Sequence, residues 1–293
     1  MTAIEINGKE IANRLLKQQQ KVVQRLKNDG IIPKLVVITF SDDEASQVYI
    51  KQKAKKAKQI GIDFECHRLN HSVSQEDFKR CVKKYDNDPS TSGIIIQFPI
   101  PQQYDLKEVS TWISPDKDVD GLNPMSMGWL LTDQAYFLPC TPKGILYLMD
   151  AYNIDVVGKD IVIIGNSHIV GLPLAIILTH QDATVTLCHR LTANLSAKCQ
   201  QADIIISAAG SVNLIGSNDV KSGVIIFDVG MNRLADGSLV GDVDYAKVIN
   251  KAAKITPVPG GVGPMTVAML MDQTIMATCY QHGIDYQQVI ECR

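Results

Sequence analysis

Five lysines fall within ten residues in YIKQKAKKAK, residues 49–58. A lysine serves acid/base chemistry best where its surroundings disfavour the charge and lower its pKa. On a helical wheel at about 100° per residue, Tyr49, Ile50, Lys53, Ala54, Ala57 and Ile60 fall within one arc of roughly 140°. Lys51, Lys55 and Lys58 cluster on the opposite side, and Lys56 sits at the arc's edge. Lys53 is therefore the lysine inside the apolar stripe. It either snorkels to water along its methylene stem or sits in a pocket as a desolvated proton-transfer group. Tyr49, one turn earlier on the same face, can present a ring beside it.

Other residues of chemical interest lie where strands end. GIIIQFPIP closes a buried strand with Gln97, either a rigid polar anchor or a residue capping the turn. DKDVDG places Asp116, Asp118, Asp120 and Gly121 at the first, third, fifth and sixth positions of a calcium loop. The twelfth position is Met127, where a bidentate glutamate is needed, so a polar site or an Asx turn is the better reading. DIVIIGNSHIVGLPLA reads as strand, glycine turn and helix. Its glycines, Gly165 and Gly171, do not follow G-x-G-x-x-G, but the helix start still offers N–H groups to a pyrophosphate. The next strand, TVTLC, leads to His189 and Arg190 instead of the acid that reads an NAD ribose. Arg190 is then either a partner for a 2′-phosphate, favouring NADP over NAD, or a solvated surface arginine. ITPVPGGVGPMT, residues 255–266, is a stiff loop of prolines and glycines leading into a helix, and reads as a binding wall or a structural corner.

These residues need a scaffold of alternating strands and helices. KEIANRLLKQQQKVVQRLKND is an amphipathic helix stopped at Gly30, KLVVITF a buried strand, and DEASQVYIKQKAKKAKQI a helix closed by Gly61. DFECHRL, a helix over SQEDFKRCVKKYDND, and GIIIQFPIP complete the first half. A stretch rich in Pro, Asp and Gly, residues 114–142, reads as the domain boundary. Beyond it DIVIIG, TVTLCH, ADIIISAAG and GVIIFDVG are near-continuous Ile/Val runs, as in parallel strands covered on both faces. TVAMLMDQTIMATCYQ is a last helix. The expected fold is α/β in two domains.

The chain has 293 residues, 45% apolar and 20% charged, as ordinary soluble domains do. Its 29 basic and 31 acidic residues leave a formal charge of −2, which speaks against broad nucleic-acid binding. The seven cysteines are scattered singly without CxxC, so neither a disulfide framework nor a zinc site is expected. His67 and His71 are four apart but follow a strand, and no metal is expected there. The N-terminus has no signal-peptide pattern, and no apolar run is long enough for a bilayer.

Together SQVYIKQKAKKA, GIIIQFPIP, PDKDVDGLNP, PCTPKG, GNSHIVGLPLA, DVGMNRLADGSLVGDVDY and TPVPGGVGPMTVAML resemble the bifunctional methylenetetrahydrofolate dehydrogenase/methenyltetrahydrofolate cyclohydrolase family. The resemblance covers nearly the whole chain. It implies a folate-binding catalytic domain over residues 1–139, to which a helix over 265–293 returns, and a Rossmann-like NADP-binding domain with a parallel sheet over 140–264. A cleft would separate them. It implies NADP-dependent oxidation of 5,10-methylenetetrahydrofolate, then hydrolysis of the methenyl product to 10-formyltetrahydrofolate, in a cytoplasmic homodimer without a metal. Lys53 would be the catalytic lysine, Gln97 its hydrogen-bond partner, Asp120 the acceptor for pteridine N–H groups and Tyr49 a stacking ring. Ile96, Phe98, Pro259, Gly260, Gly261, Val262, Gly263 and Pro264 would also line the folate site. Gly165, Asn166, Ser167, Arg190 and Met231 would contact the cofactor. Asn166 departs from the arginine many members carry there, which leaves Arg190 to supply the charge for a 2′-phosphate. Two other readings stay open: a dehydrogenase of another small substrate, with Lys53 and Gln97 structural, and a nucleic-acid binder using Lys51, Lys55 and Lys58.

Overall fold

The computed structural model describes residues 2–40 and 44–291. Asp43, where the sequence begins the lysine helix, and Cys292 lie outside the described residues. In chain order the first elements are β1 (Ile4–Glu5), α1 (Gly8–Asn28), β2 (Lys34–Thr39), α2 (Glu44–Ile60), β3 (Asp63–Arg68), α3 (Gln75–Asp86), β4 (Gly93–Gln97), α4 (Leu106–Val109), α5 (Pro124–Leu131) and α6 (Cys140–Ala151). Then come β5 (Asp160–Ile164), α7 (Gly171–His180), β6 (Thr184–Cys188), α8 (Leu195–Gln201), β7 (Ile204–Ser207) and β8 (Ile225–Asp228). The chain finishes with β9 (Asn232–Arg233), β10 (Leu239–Val240), α9 (Tyr245–Val248), β11 (Lys254–Ile255), α10 (Val262–Gln281) and α11 (Tyr286–Glu291). It forms two compact units, one of residues 13–140 with Val267 onward, the other of residues up to Ala12 with 141–266.

The first unit is built on a parallel sheet in the order β3-β2-β4. Alternate residues of a strand face opposite sides. Val36, Ile38 and Phe40 therefore share a face with Ile94 and Ile96, and they pack with Phe78 and Val82 of α3 and with Trp112. Phe40 and Phe78 meet edge to face at 4.7 Å, and Phe78 meets Trp112 at 5.0 Å. Burying each such side chain contributes about 1.5–3 kcal/mol. Gln97, paired in register with Thr39, belongs to the other face. There α2 turns its apolar stripe inward: Ile50, Ala57 and Ile60 are buried, while Lys51, Lys55 and Lys58 are exposed. The helix stops because Gly61 adopts φ +91°, with the N–H groups of Gly61 and Ile62 both donating to the Ala57 carbonyl at 2.9 Å.

The second unit holds six strands in the order β1-β11-β8-β7-β5-β6, each neighbouring pair parallel. Its core gathers Val162, Ile164, Ile205, Ile226 and Ile255 with Cys188 and Cys199. From β5 the chain passes to β6 on one side and then to β7 on the other, so the order reverses between β5 and β7. In open α/β sheets that reversal is where ligands bind.

Several features differ from the sequence reading. Residues up to Ala12 group with the large sheet, because Ile4 and Glu5 pair with Lys254 and Ile255. Two residues are too few to show a strand period. The stretch over 114–142 is more than a boundary. It contains α5, started by Asn123, whose side chain accepts from the Met125 N–H at 2.7 Å, with Pro124 in the first turn. The β9–β10 hairpin, antiparallel, was not expected. The last five residues of the proline–glycine loop are helix, since α10 begins at Val262 and tolerates Pro264 in its first turn.

Candidate functional site

The Lys53 ammonium donates to Gln97 Oε1 at 2.7 Å. The Gln97 amide is held in that orientation by its other end, since Nε2 donates to the Phe98 carbonyl at 2.8 Å. Taken whole, the Lys53 side chain keeps some exposure. Burial around its ammonium is nevertheless the largest influence on it and lowers its pKa; Asp120, and then Cys140, pull the other way. A lysine in this state can hand over or take up a proton near neutral pH more readily than one in water. Tyr49 is half-buried on α2, one turn before Lys53.

Asp120 owes its place to the turn around it. The Ile94 N–H donates to the Lys117 carbonyl at 2.9 Å, which ties this segment to β4. Asp118, 4% exposed, accepts from the Asn123 N–H at 2.7 Å and the Ser126 hydroxyl at 3.0 Å. Burial pushes its carboxyl up to about 6, against the pull of those donors. Gly121 has φ +66°, and a Cβ there would lie 2.9 Å from the Leu138 carbonyl carbon. Only glycine fits so close an approach at that dihedral. The structure thus gathers Lys53, Gln97 and Asp120 in one unit, with Cys140 beside them. Ile96 is different: its side chain lies in the core with Phe78 and Trp112, on the face away from Gln97. Phe98 is half-buried and precedes Pro99.

In the large-sheet unit, Gly165 stands at the end of β5 with φ +111°. A Cβ on it would lie 2.4 Å from the Ala208 carbonyl oxygen, just beyond β7. A Cβ on Gly171, the first residue of α7, would lie 1.7 Å from the Gly165 carbonyl oxygen. Two glycines therefore permit both close approaches at the reversal of strand order, despite a spacing unlike G-x-G-x-x-G. Asn166 and Ser167 are exposed in the turn, and the Ser167 hydroxyl accepts from the Val170 N–H at 3.2 Å. Arg190 is exposed in the turn after β6, closed by the Thr192 N–H donating to the His189 carbonyl at 2.8 Å. Met231 is 39% exposed, and its Cε would lie 3.4 Å from a Cβ on Gly263.

Pro259 and Gly260 lie in the loop before α10, and Gly261, Val262, Gly263 and Pro264 carry the chain into it. Gly260 has φ +116°, its carbonyl accepts from the Lys9 N–H at 2.8 Å, and the Gly261 N–H donates to the Pro257 carbonyl at 2.8 Å. This loop belongs to the large-sheet unit, whereas Lys53 belongs to the other. Among the described residues, no group of three or more His, Cys, Asp or Glu is placed to hold a metal.

Sequence reasoning missed a pair of buried carboxylates behind the glycine turn. Asp242 accepts from the Ser207 hydroxyl at 2.9 Å, from the N–H groups of Ala209 and Ser211 at 2.7 and 2.8 Å, and from Asn232 Nδ2 at 3.1 Å. Asp228 accepts from the N–H groups of Gly230 and Asp242 at 3.0 Å and of Val243 at 2.9 Å. Burial pushes Asp228 up to about 6 despite these donors. The pair shapes the loop after β7, against which Gly165 packs. The signal was the paired DVG and GDVD strings: a Cβ on Gly230 or Gly241 would collide with one of these carboxylates.

A sheet whose strand order reverses at a glycine turn, together with a second α/β unit holding a desolvated lysine, marks a two-domain, dinucleotide-dependent enzyme. The chain matches the tetrahydrofolate dehydrogenase/cyclohydrolase catalytic domain over residues 6–120 and the NAD(P)-binding domain of the same family over residues 139–282. It is 43% identical over 275 residues to the bifunctional protein FolD of Bacillus subtilis, covering 94% of this chain and 97% of that one. The FolD dehydrogenase/cyclohydrolase structure from Campylobacter jejuni superposes with a TM-score of 0.93 at 43% identity, over 95% of this chain and 99% of that one. The Trypanosoma brucei FolD structure, complexed with NADP cofactor and inhibitor, gives 0.92 at 32% identity, over 96% and 98% of the two chains. The chain belongs to the tetrahydrofolate dehydrogenase/cyclohydrolase family.

Proposed function

We propose that the protein oxidises 5,10-methylenetetrahydrofolate to the 5,10-methenyl cation with NADP+, then hydrolyses the cation to 10-formyltetrahydrofolate, with Lys53 as the proton-transfer group. The observation that carries this is the desolvated Lys53 ammonium donating to Gln97 at 2.7 Å with Asp120 close enough to act on it. A methenyl carbon is already electrophilic, so hydrolysis needs a positioned water and one group to move protons. Water adds to that carbon and gives up a proton to Lys53 in its unprotonated form, which burial favours. The added hydroxyl then loses its remaining proton and its oxygen forms the formyl C=O on N10, as the carbon–N5 bond breaks and N5 takes a proton. Gln97 keeps the amine oriented, Asp120 accepts hydrogen bonds from the pteridine N–H groups, and Tyr49 supplies a ring for it to stack on. Phe98 and the backbone at Ile96 complete the folate contacts that this unit supplies in this reading.

The large-sheet unit fits a dinucleotide at Gly165, Asn166 and Ser167, with Met231 nearby in the same reading. Bound NADP+ supplies the hydride acceptor. Arg190, exposed where a ribose-reading group belongs, favours the 2′-phosphate form. A homodimer acting in the cytoplasm on folate one-carbon derivatives completes the reading; sedimentation tests the dimer. The central test is a spectrophotometric assay with 5,10-methylenetetrahydrofolate and either NADP+ or NAD+. Reduced cofactor should form with NADP+, and added methenyltetrahydrofolate should decay faster than in buffer. Absence of both signals refutes the reading.

A further inference from the structure

Gln273 of α10 is fully buried. Its Oε1 accepts from the Leu138 N–H at 2.9 Å, and its Nε2 donates to the Leu138 carbonyl at 2.8 Å and the Val119 carbonyl at 2.7 Å. The same nitrogen lies 3.4 Å from Cys140 Sγ, and that thiol donates to the Val119 carbonyl at 3.3 Å. One carboxamide thus grips both polar groups of the Leu138 backbone and reaches across to a second strand of chain. The two segments it joins carry Asp120 and Cys140, both of which pull against the effect of burial on Lys53. They also approach each other where Gly121 lets the backbones close at Leu138 and Pro139. We propose that Gln273 is a positioning residue for the Lys53 site, holding the Asp120 and Cys140 segments together at the lysine; its catalytic meaning rests on the function proposed above.

A core amide of purely structural value would change stability and nothing else, so the test must read Lys53 itself. Competitive acetylation across a pH series, followed by peptide mass spectrometry, gives the titration midpoint of the Lys53 amine in the intact protein. In Gln273→Met, which keeps length and removes every hydrogen bond that Gln273 makes, the midpoint should move to lower pH, because the segment carrying Asp120 is released from the lysine. The pH limb of methenyl hydrolysis should move with it, and the rate at optimum should fall about tenfold or more. Thr278→Val is the control. Its hydroxyl donates to the Thr274 carbonyl of the same helix at 2.8 Å, so it disturbs α10 without touching either segment. It should leave the midpoint in place. If Gln273→Met does not fold, Gln273→Asn withdraws the amide by one methylene and should give a smaller shift of the same sign. An unmoved midpoint in the folded Gln273 variant overturns the proposal. A moved midpoint with unchanged hydrolysis upholds the clamp and refutes the catalytic role of Lys53 instead.

Discussion

Lys53 and Lys55 are two residues apart on one helix, yet Lys55 is exposed whereas Lys53 sits where burial lowers its pKa. Lys53→Met should cut methenyl hydrolysis by about a hundredfold or more, while Lys55→Met should change it little. NADP+ affinity, measured by calorimetry, should survive both. Gln97 offers a sharper test. In Gln97→Glu a carboxylate replaces the neutral acceptor 2.7 Å from the ammonium and should raise the lysine's pKa. Less neutral amine is then present at pH 7, so hydrolysis should slow there and recover at higher pH; a pH–rate profile that does not move refutes the proton-transfer role. In the other unit, one charge-assisted contact from Arg190 to a 2′-phosphate is worth about 1.5–3 kcal/mol, or roughly tenfold to a hundredfold in affinity. Arg190→Ala should raise the Michaelis constant for NADP+ by that factor and barely alter the one for NAD+. Equal changes for both cofactors would assign the arginine to solvent.

At the scale of elements, the turn carrying Asp120 is braced by a carboxyl that sequence alone did not single out. Asp118 and Asp120 look alike in DKDVDG, and only the fold buries the former and leaves the latter partly open. Asp118 has its pKa raised from an ordinary 3.8 to about 6. Between those values the folded state holds a proton that the unfolded state has lost. This group's contribution is therefore full below pH 4 and is lost as the pH rises through 6, a span worth roughly 3 kcal/mol. Asp118→Asn removes that term. Urea denaturation should show the variant's deficit relative to the parent to be larger at pH 4 than at pH 7. What was legible in the sequence was periodic or positional. The wheel isolated Lys53 because α2 obeys a helical period, and the strand end marked Gln97. Gln273 and the Asp228–Asp242 pair escaped, because a polar residue fully enclosed by distant segments leaves no local pattern. The resemblance places Ile96 with the folate site, and strand alternation turns its side chain into the core.

For the whole molecule, neither unit is one continuous stretch of chain. A fragment of residues 1–139, the domain as the sequence divides it, would lack α10 and α11. It would lose Gln273 and also Gln281, whose Nε2 donates to the Ser92 and Asp116 carbonyls at 2.8 and 3.2 Å. It would lose Asp272, which accepts from Tyr286 and Gln19. That fragment should unfold at lower urea than the full chain by circular dichroism, and adding residues 265–293 in trans should restore part of the difference. An equally stable fragment would show that the C-terminal helices are dispensable to it. The pairing of Ile4 with Lys254 has a consequence for how the protein is made. On a ribosome β1 emerges roughly 250 residues ahead of its partner β11. At about 5–20 residues per second that wait lasts roughly 12–50 s. β1 must spend this time unpaired, within reach of whatever guards nascent chains, and the large sheet gains this edge only once β11 has been made.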